Sequence, residues 1–504
     1  MRSFILPALS LLLLCLTAPP IAAEDTVPTM EEVSAAFSAG DLETARTQLE
    51  RLIRDTPSPL AQFRYGRMLI EGMGGPADPE AGVQWMAGAA NGGHLGALTY
   101  IGRLRLSEGP GRDPAQAAQH FHAAAARGDR EAKYYLGLLH SWGQGVAKDP
   151  ERARTWLLAA AEDGYGPAQY ELTKLHGTAP AEAQRWLEEA ALSGVPEAQF
   201  AVAAGLQSRS APVTQVVDLY TRAAQAGFVP AQRALGTLYL TGADGLSPDA
   251  ERAVAWLGRA AEARDLTAVL NLGLGYLSGS VLPANPEQAE NLLLVASDNG
   301  AHQASLALSR GHKDGSFASA NPQDALLFLR LAQEQGSTRA AVELGHMVLD
   351  EDPALQVAPH DAVPWVMARL DTLDDAAAFD WLDKHARQGV QPAQAALGQW
   401  LLPQDGKSAQ ALPYLEAAAR GGHVPSQARL GQALTTGLGG TLDYVAAHGW
   451  LNIAAASGHA ASAETRDTIT DLMTPEDIAA AQDFARRFFD ESRASPPTAG
   501  VPME

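Results

Sequence analysis

Apolar positions in this chain recur at helical spacing in short segments, and each segment is cut off by glycine or proline. The stretch from Ala132 to Tyr165 shows the pattern. Tyr134, Leu136 and Leu139 mark a first apolar-periodic segment, and the loop Gly143-Gln144-Gly145-Val146 interrupts it. Asp149-Pro150 then opens a second segment, with Trp156, Ala160 and Ala161 on one face and Gly164 as its stop. Spacing of this kind predicts amphipathic helices, and the punctuation predicts where they start and end. The stretch is therefore a helix–turn–helix, and it recurs every roughly 33 to 37 residues, a period that signals a helical solenoid.

Each repeated slot has a physical reason. In the first helix a small residue recurs as Gly66, Gly102, Gly137, Gly236, Gly273, Gly345, Gly398 and Gly431, with Thr173, Ala203 and Ser309 in the same slot elsewhere. Small residues let two helix backbones approach closely. In the second helix a bulky residue recurs as Trp85, Trp156, Trp186, Trp256, Trp381 and Trp450, or as Leu219, Leu292, Phe328 and Tyr414, filling the space between neighbouring pairs. Closing glycines follow eight residues later, as at Gly164, Gly194, Gly227, Gly300, Gly336, Gly389, Gly422 and Gly458. Asp78-Pro79, Asp113-Pro114, Asp149-Pro150, Asn285-Pro286 and Asn321-Pro322 each place a capping side chain before a proline in the first turn.

The motif A-x-x-x-L-G … G-x-G-V … D … A … W … A-A … G, repeated along the chain, closely resembles the Sel-one-like repeat (SLR) family, a branch of the tetratricopeptide-like superfamily. The resemblance runs from about Ala61 to Arg487, and the ending Trp450 to Ala456, Arg466-Asp467 and Met473-Thr474-Pro475 is similar to the usual close of such arrays. It implies an all-α fold: a right-handed α-solenoid of about eleven helix–turn–helix repeats with N- and C-terminal capping helices. The expected organisation is a signal peptide over 1–23, an N-terminal capping hairpin over 24–57 and repeats one to nine over 58–349. A divergent insertion follows over 350–380, with an extra helix around Val363 to Leu370. Repeats ending with ten and eleven occupy 381–459, C-terminal capping helices 460–493, and a disordered tail 494–504.

Composition sharpens this picture in two places. The formal net charge is −21, which argues against nucleic acid as a partner and against broad adhesion to anionic membranes. The N-terminus combines Arg2, an apolar run from Phe4 to Leu16 and the small-residue end Ile21-Ala22-Ala23, which reads as a secretory signal cut after Ala23. The run is too short for a comfortable transmembrane span. Cys15, the one cysteine, follows Leu14 rather than a small residue, so lipid anchoring is not expected. The expectation is an exported monomer, periplasmic or released, that folds without disulfides.

Candidate chemistry is sparse. No nucleophile–base constellation, phosphate loop or metal-ligand spacing is visible, and no cofactor is expected. Gly143-x-Gly145 joins two helices, whereas a dinucleotide site needs a preceding strand. His120 and His122 sit two apart on one helix and face different sides, which suits a metal poorly. Asp371, Asp374 and Asp375 read as caps or a solvated face. Some relatives of the family are described as penicillin-binding or β-lactam-hydrolysing. They are cysteine-rich with a disulfide in each repeat, a pattern absent here, so an enzyme is the weaker reading.

What remains is surface. In such arrays the first helices line the concave side, and the positions two before and one after the repeated small residue are neighbours there. They read Arg64 and Arg67, Tyr100 and Arg103, Tyr135 and Leu138, then Glu171 and Lys174. Arg64, Arg67, Tyr100, Arg103, Tyr135 and Lys174 thus form a candidate partner-binding stripe, since Arg and Tyr are common anchors. The plainer reading is that these cations pair with local acids such as Glu71 and Asp78. The functional expectation is a non-catalytic protein–protein interaction scaffold or adaptor of the bacterial cell envelope. The resemblance also implies roles in exopolysaccharide assembly or its regulation, with anionic polysaccharide as another possible ligand of the stripe.

Overall fold

The structure is a computed structural model that describes residues 27–109, 111–175, 177–440 and 442–494. The expected signal peptide with Cys15 lies outside the described residues, as does the expected tail beyond Ala494. Among the described residues there is no strand, only an isolated bridge between Ala243 and Leu246, and the chain is an all-α solenoid. It divides into two compact units, Met1–Ala231 and Gln232–Glu504.

The first unit holds α1 (Met30–Ser38), α2 (Leu42–Asp55), α3 (Pro59–Glu71), α4 (Pro79–Asn91), α5 (Leu95–Leu106), α6 (Pro114–Ala125), α7 (Arg130–Trp142), α8 (Pro150–Glu162), α9 (Gly166–Lys174), α10 (Pro180–Leu192), α11 (Pro196–Ser208) and α12 (Val213–Gln225). The division falls within α13 (Val229–Thr241). The second unit continues with α14 (Ala250–Glu262), α15 (Leu266–Ser278), α16 (Pro286–Asp298), α17 (His302–Asp314), α18 (Pro322–Glu334), α19 (Thr338–Leu349), α20 (Pro359–Leu373), α21 (Ala376–Arg387), α22 (Gln391–Leu401), α23 (Ser408–Arg420), α24 (Val424–Thr436), α25 (Tyr444–Ala456), α26 (Ala460–Thr470) and α27 (Pro475–Ala494).

Local chemistry sets these elements. Asp78, Asp113, Asp149, Asn285 and Asn321 each accept a backbone N–H from the first turn that follows, next to a proline that needs no such partner. Within a pair, the small residue of the first helix meets the residue after the tryptophan slot, not the tryptophan itself. A β-carbon on Gly137 would lie 2.6 Å from Leu157 Cγ, and one on Gly66 would lie 2.7 Å from the Gly82 carbonyl oxygen. The tryptophan, turned about 100° away by the helix, reaches the preceding pair: the Trp156 ring lies edge-on to His122 at 5.7 Å. The second loop glycine has its own reason. Gly145 has φ +70°, and a β-carbon there would lie 2.3 Å from the backbone of Pro114, at the start of the previous second helix.

A buried amide ladder links successive pairs. The side-chain amides of Gln169, Gln199, Gln394 and Gln427 each donate to the carbonyl eight residues earlier, on Ala161, Ala191, Ala386 and Ala419, at 2.9 to 3.2 Å. Each bond ties the start of a first helix to the end of the preceding second helix, where helix carbonyls lack intrahelical partners. The ends of the array are covered differently. At the start, Val33 of α1 and Leu49 and Ile53 of α2 pack against Tyr65 and Met68 of α3. At the close, α27 lies on α25, with Phe484 and Phe488 edge-on to the buried Trp450 ring at 5.2 and 5.6 Å.

The region 350–380 departs from two-helix spacing in a defined way. α20 takes the place of a second helix against α19, where a β-carbon on Gly345 would lie 2.4 Å from the Trp365 carbonyl oxygen. α21, which carries the tryptophan-slot residue Trp381, instead forms the Gln394 bond with α22. Packing on the previous helix and on the next, done by one helix elsewhere, is shared here between two.

Candidate binding surface

The stripe residues all lie in the first unit. Arg64 and Arg67 on α3 line a groove of about 490 Å³ together with Ser34, Phe37 and Ser38 of α1, Leu60, Phe63 and Met73. The exposed Leu60 forms part of its apolar wall. Arg64 Nη1 donates to Ser34 Oγ at 2.9 Å, and no carboxylate among the described residues pairs with it. Arg67 Nε pairs with Glu71 Oε1 at 3.0 Å.

The following pairs extend this surface. The Tyr100 hydroxyl donates to Glu71 Oε1 at 2.7 Å, while its ring stands edge-on to Phe63 at 6.1 Å. Burial and then the Glu71 hydrogen bond push the hydroxyl up to about 12, so it stays a donor over the physiological range. Arg103 Nη1 pairs with Glu131 at 3.2 Å. The Tyr135 ring stacks on Phe121 at 4.8 Å and meets Tyr134 edge-on at 5.3 Å. Tyr134 in turn lies 5.3 Å from Tyr165. Lys174 Nζ pairs with Glu171 at 2.8 Å and sits 4.1 Å over the Tyr170 ring. Most stripe cations thus have a local acid; of the two acids the plainer reading names, Glu71 pairs with Arg67 whereas Asp78 caps α4, and Arg64 stands apart.

A stripe residue reaches the preceding first helix: the Tyr100 hydroxyl of α5 donates to Glu71 of α3. In the second unit, Asn271 donates to Thr237 at 2.9 Å and Lys313 pairs with Glu343 at 3.4 Å in the same manner. Sequence reasoning missed the apolar partners of this face. Phe37, Leu60 and Phe63 lie outside the two slots that were followed, and Phe63 stacks on His94 at 4.1 Å across a closing turn. It also missed Glu197, which lines a second groove described below. An aromatic one residue before Arg64 was the available signal for the first of these. No group of three or more potential metal ligands occurs among the described residues, and no described helix is long and apolar enough to cross a membrane.

Comparison with known proteins bears on this surface through its fold. A family profile described as Sel1 repeat matches residues 59–94, 97–129, 130–165, 167–195, 229–265, 267–300, 302–337 and 424–459, together more than half of the chain. The solved structure of a protective antigen present in uropathogenic Escherichia coli strains, displaying an SLR fold, is similar over 92% of this chain and 94% of that chain. Its TM-score is 0.52 at 22% identity, a likeness of fold. A Sel1 repeat protein from Oxalobacter formigenes aligns over 64% of this chain and 90% of its own, with TM-score 0.37 and 24% identity. An exopolysaccharide production negative regulator of Rhizobium leguminosarum bv. viciae is 33% identical over 69 residues, 14% of this chain and 26% of that protein. The match thus spans about a quarter of that relative's length.

Proposed function

From the fact that this chain belongs to the Sel1 repeat family, whose members are generally non-catalytic scaffolds, we propose that it gathers partner proteins on the first-helix face of its first unit. The observation that carries this reading is the groove around Arg64. A guanidinium whose only partner among the described residues is a hydroxyl stands among Phe37, Leu60, Phe63 and Met73. A partner carboxylate beside an apolar side chain would satisfy both components of that groove. Arg67 and Arg103 support the same ligand. Their ion pairs are about half exposed, with Arg side chains 50% and 52% accessible, and such pairs are worth little, so an incoming carboxylate displaces them at small cost. The ligand is therefore an acidic–apolar segment of a protein, and the role is that of an adaptor rather than an enzyme.

The place of action is the bacterial cell envelope, with the periplasm as compartment. The apolar run Phe4 to Leu16 and the Ala22-Ala23 end support export, and fractionation of cells making the full chain tests it. Charge reversal tests the binding reading. The combined variant Arg64→Glu, Arg67→Glu, Arg103→Glu loses capture of a blocked acidic–aromatic peptide while its helical circular dichroism is unchanged. Unchanged capture contradicts the proposal. A second reading, contact with anionic polysaccharide during exopolysaccharide assembly or its regulation, is favoured by the named role of the Rhizobium relative. Under that reading an acidic glycan displaces the peptide competitively.

A further inference from the structure

A second groove on the same face, of about 470 Å³, runs across α7, α9 and the start of α11, and its charge is opposite to that of the Arg64 groove. One side already holds a cation: Lys174 Nζ lies over the Tyr170 ring and pairs with Glu171. The lining also holds a second tyrosine and a second carboxylate, Tyr134 and Glu197. Glu197 has no ion-pair or hydrogen-bond partner among the described residues. Burial first, then the charges of Glu171, Tyr135 and Glu197 in that order, push the Tyr134 hydroxyl up to about 12. Of the charged groups lining the groove, Glu171 and Lys174 cancel, and the Glu197 charge is left over.

We propose that this groove takes the guanidinium or ammonium of a basic side chain in a partner's extended segment, held between the Glu197 carboxylate and the Tyr134 ring. The chemistry is that of the neighbouring Lys174 site: an aromatic face attracts a cation through its quadrupole, and a carboxylate beside it supplies the hydrogen bonds. The inference rests on the reading that the first-helix face of this unit binds proteins, and it adds a polarity. An acidic–apolar part of the segment lies at α3, and a basic part lies at α9 and α11.

The test uses the full chain and two blocked octapeptides of Gly and Ser, one carrying two arginines and the other two citrullines, followed by ligand-observed saturation-transfer NMR at low salt. The arginine peptide binds roughly five- to ten-fold more tightly than its neutral counterpart, and Glu197→Gln removes the difference. Tyr134→Leu weakens the arginine peptide alone. Equal binding of the two peptides, or an arginine preference that survives Glu197→Gln, overturns the inference. An acidic–aromatic peptide run in parallel separates the two readings. If it binds through Arg64 while the arginine peptide does not bind, the polarity falls and the scaffold reading stands. If only the arginine peptide binds, the Arg64 reading falls and the Glu197 site stands.

Discussion

Arg264 has φ +64° in the turn that closes α14, at the position where the other pairs place a left-handed glycine. A side chain in that conformation costs on the order of 1 kcal/mol, so Arg264→Gly should raise the stability of the second unit by about that amount. Gly66 presents the opposite case. Its missing β-carbon leaves room for the Gly82 carbonyl, so Gly66→Ala should destabilise by about 1–3 kcal/mol. Urea denaturation followed by circular dichroism checks both, and equal midpoints for wild type and either variant would contradict the packing described. The closing-glycine slot was legible in the sequence, and Arg264 occupies it eight residues after Trp256. The candidate stripe was legible only in part. Arg64, Arg67 and Tyr100 follow from position on the helix, and the Arg67–Glu71 and Lys174–Glu171 pairs are within one helical turn, but Arg103 is neutralised by Glu131, 28 positions away. No local pattern encodes that last pair.

Helices in this array are held as much by their ends as by their faces. Caps and loop glycines recur in sequence because each acts within a few residues, so helix starts at Asp-Pro and Asn-Pro were legible. The glutamine ladder was not, since its partners are backbone carbonyls that every residue carries. The 350–380 region shows the same limit. Trp381 and Gly389 mark α21 as a second helix by sequence, yet it is α20 that packs on Gly345 of α19. The junction between those helices has a titratable lock. Asp375 caps α21 through the Ala377 N–H and accepts from Arg369, and these bonds, with Arg369 the larger cause, hold its carboxyl below the ordinary value of 3.8. A lowered folded-state value contributes stability that is fully present above the unfolded value and is lost as pH falls through the folded one. Asp375→Asn keeps the cap acceptor and removes the charge. Its urea midpoint should therefore fall less steeply than that of wild type between about pH 5 and pH 2.5. Parallel curves would contradict the assignment.

For the molecule as a whole, the net charge of −21 and the repeat period bounded the answer early. Neighbour-to-neighbour stacking lets a chain of this length fold without a single large core, and the excess of acid makes it informative that Arg64 meets no carboxylate among the described residues. The fold was legible because every pair restates it, whereas a binding site is written once. Photo-crosslinking from two exposed leucines of the first unit tests the central claim most directly. Benzoylphenylalanine replaces Leu60, in the Arg64 groove, or Leu192, 86% accessible on the second helix α10. Irradiation in intact cells should join a discrete protein to the chain from position 60 and not from position 192, and Arg64→Glu should abolish the product. Equal products from both positions, or a product from 192 alone, would mean that the first-helix face of this unit is not where partners bind.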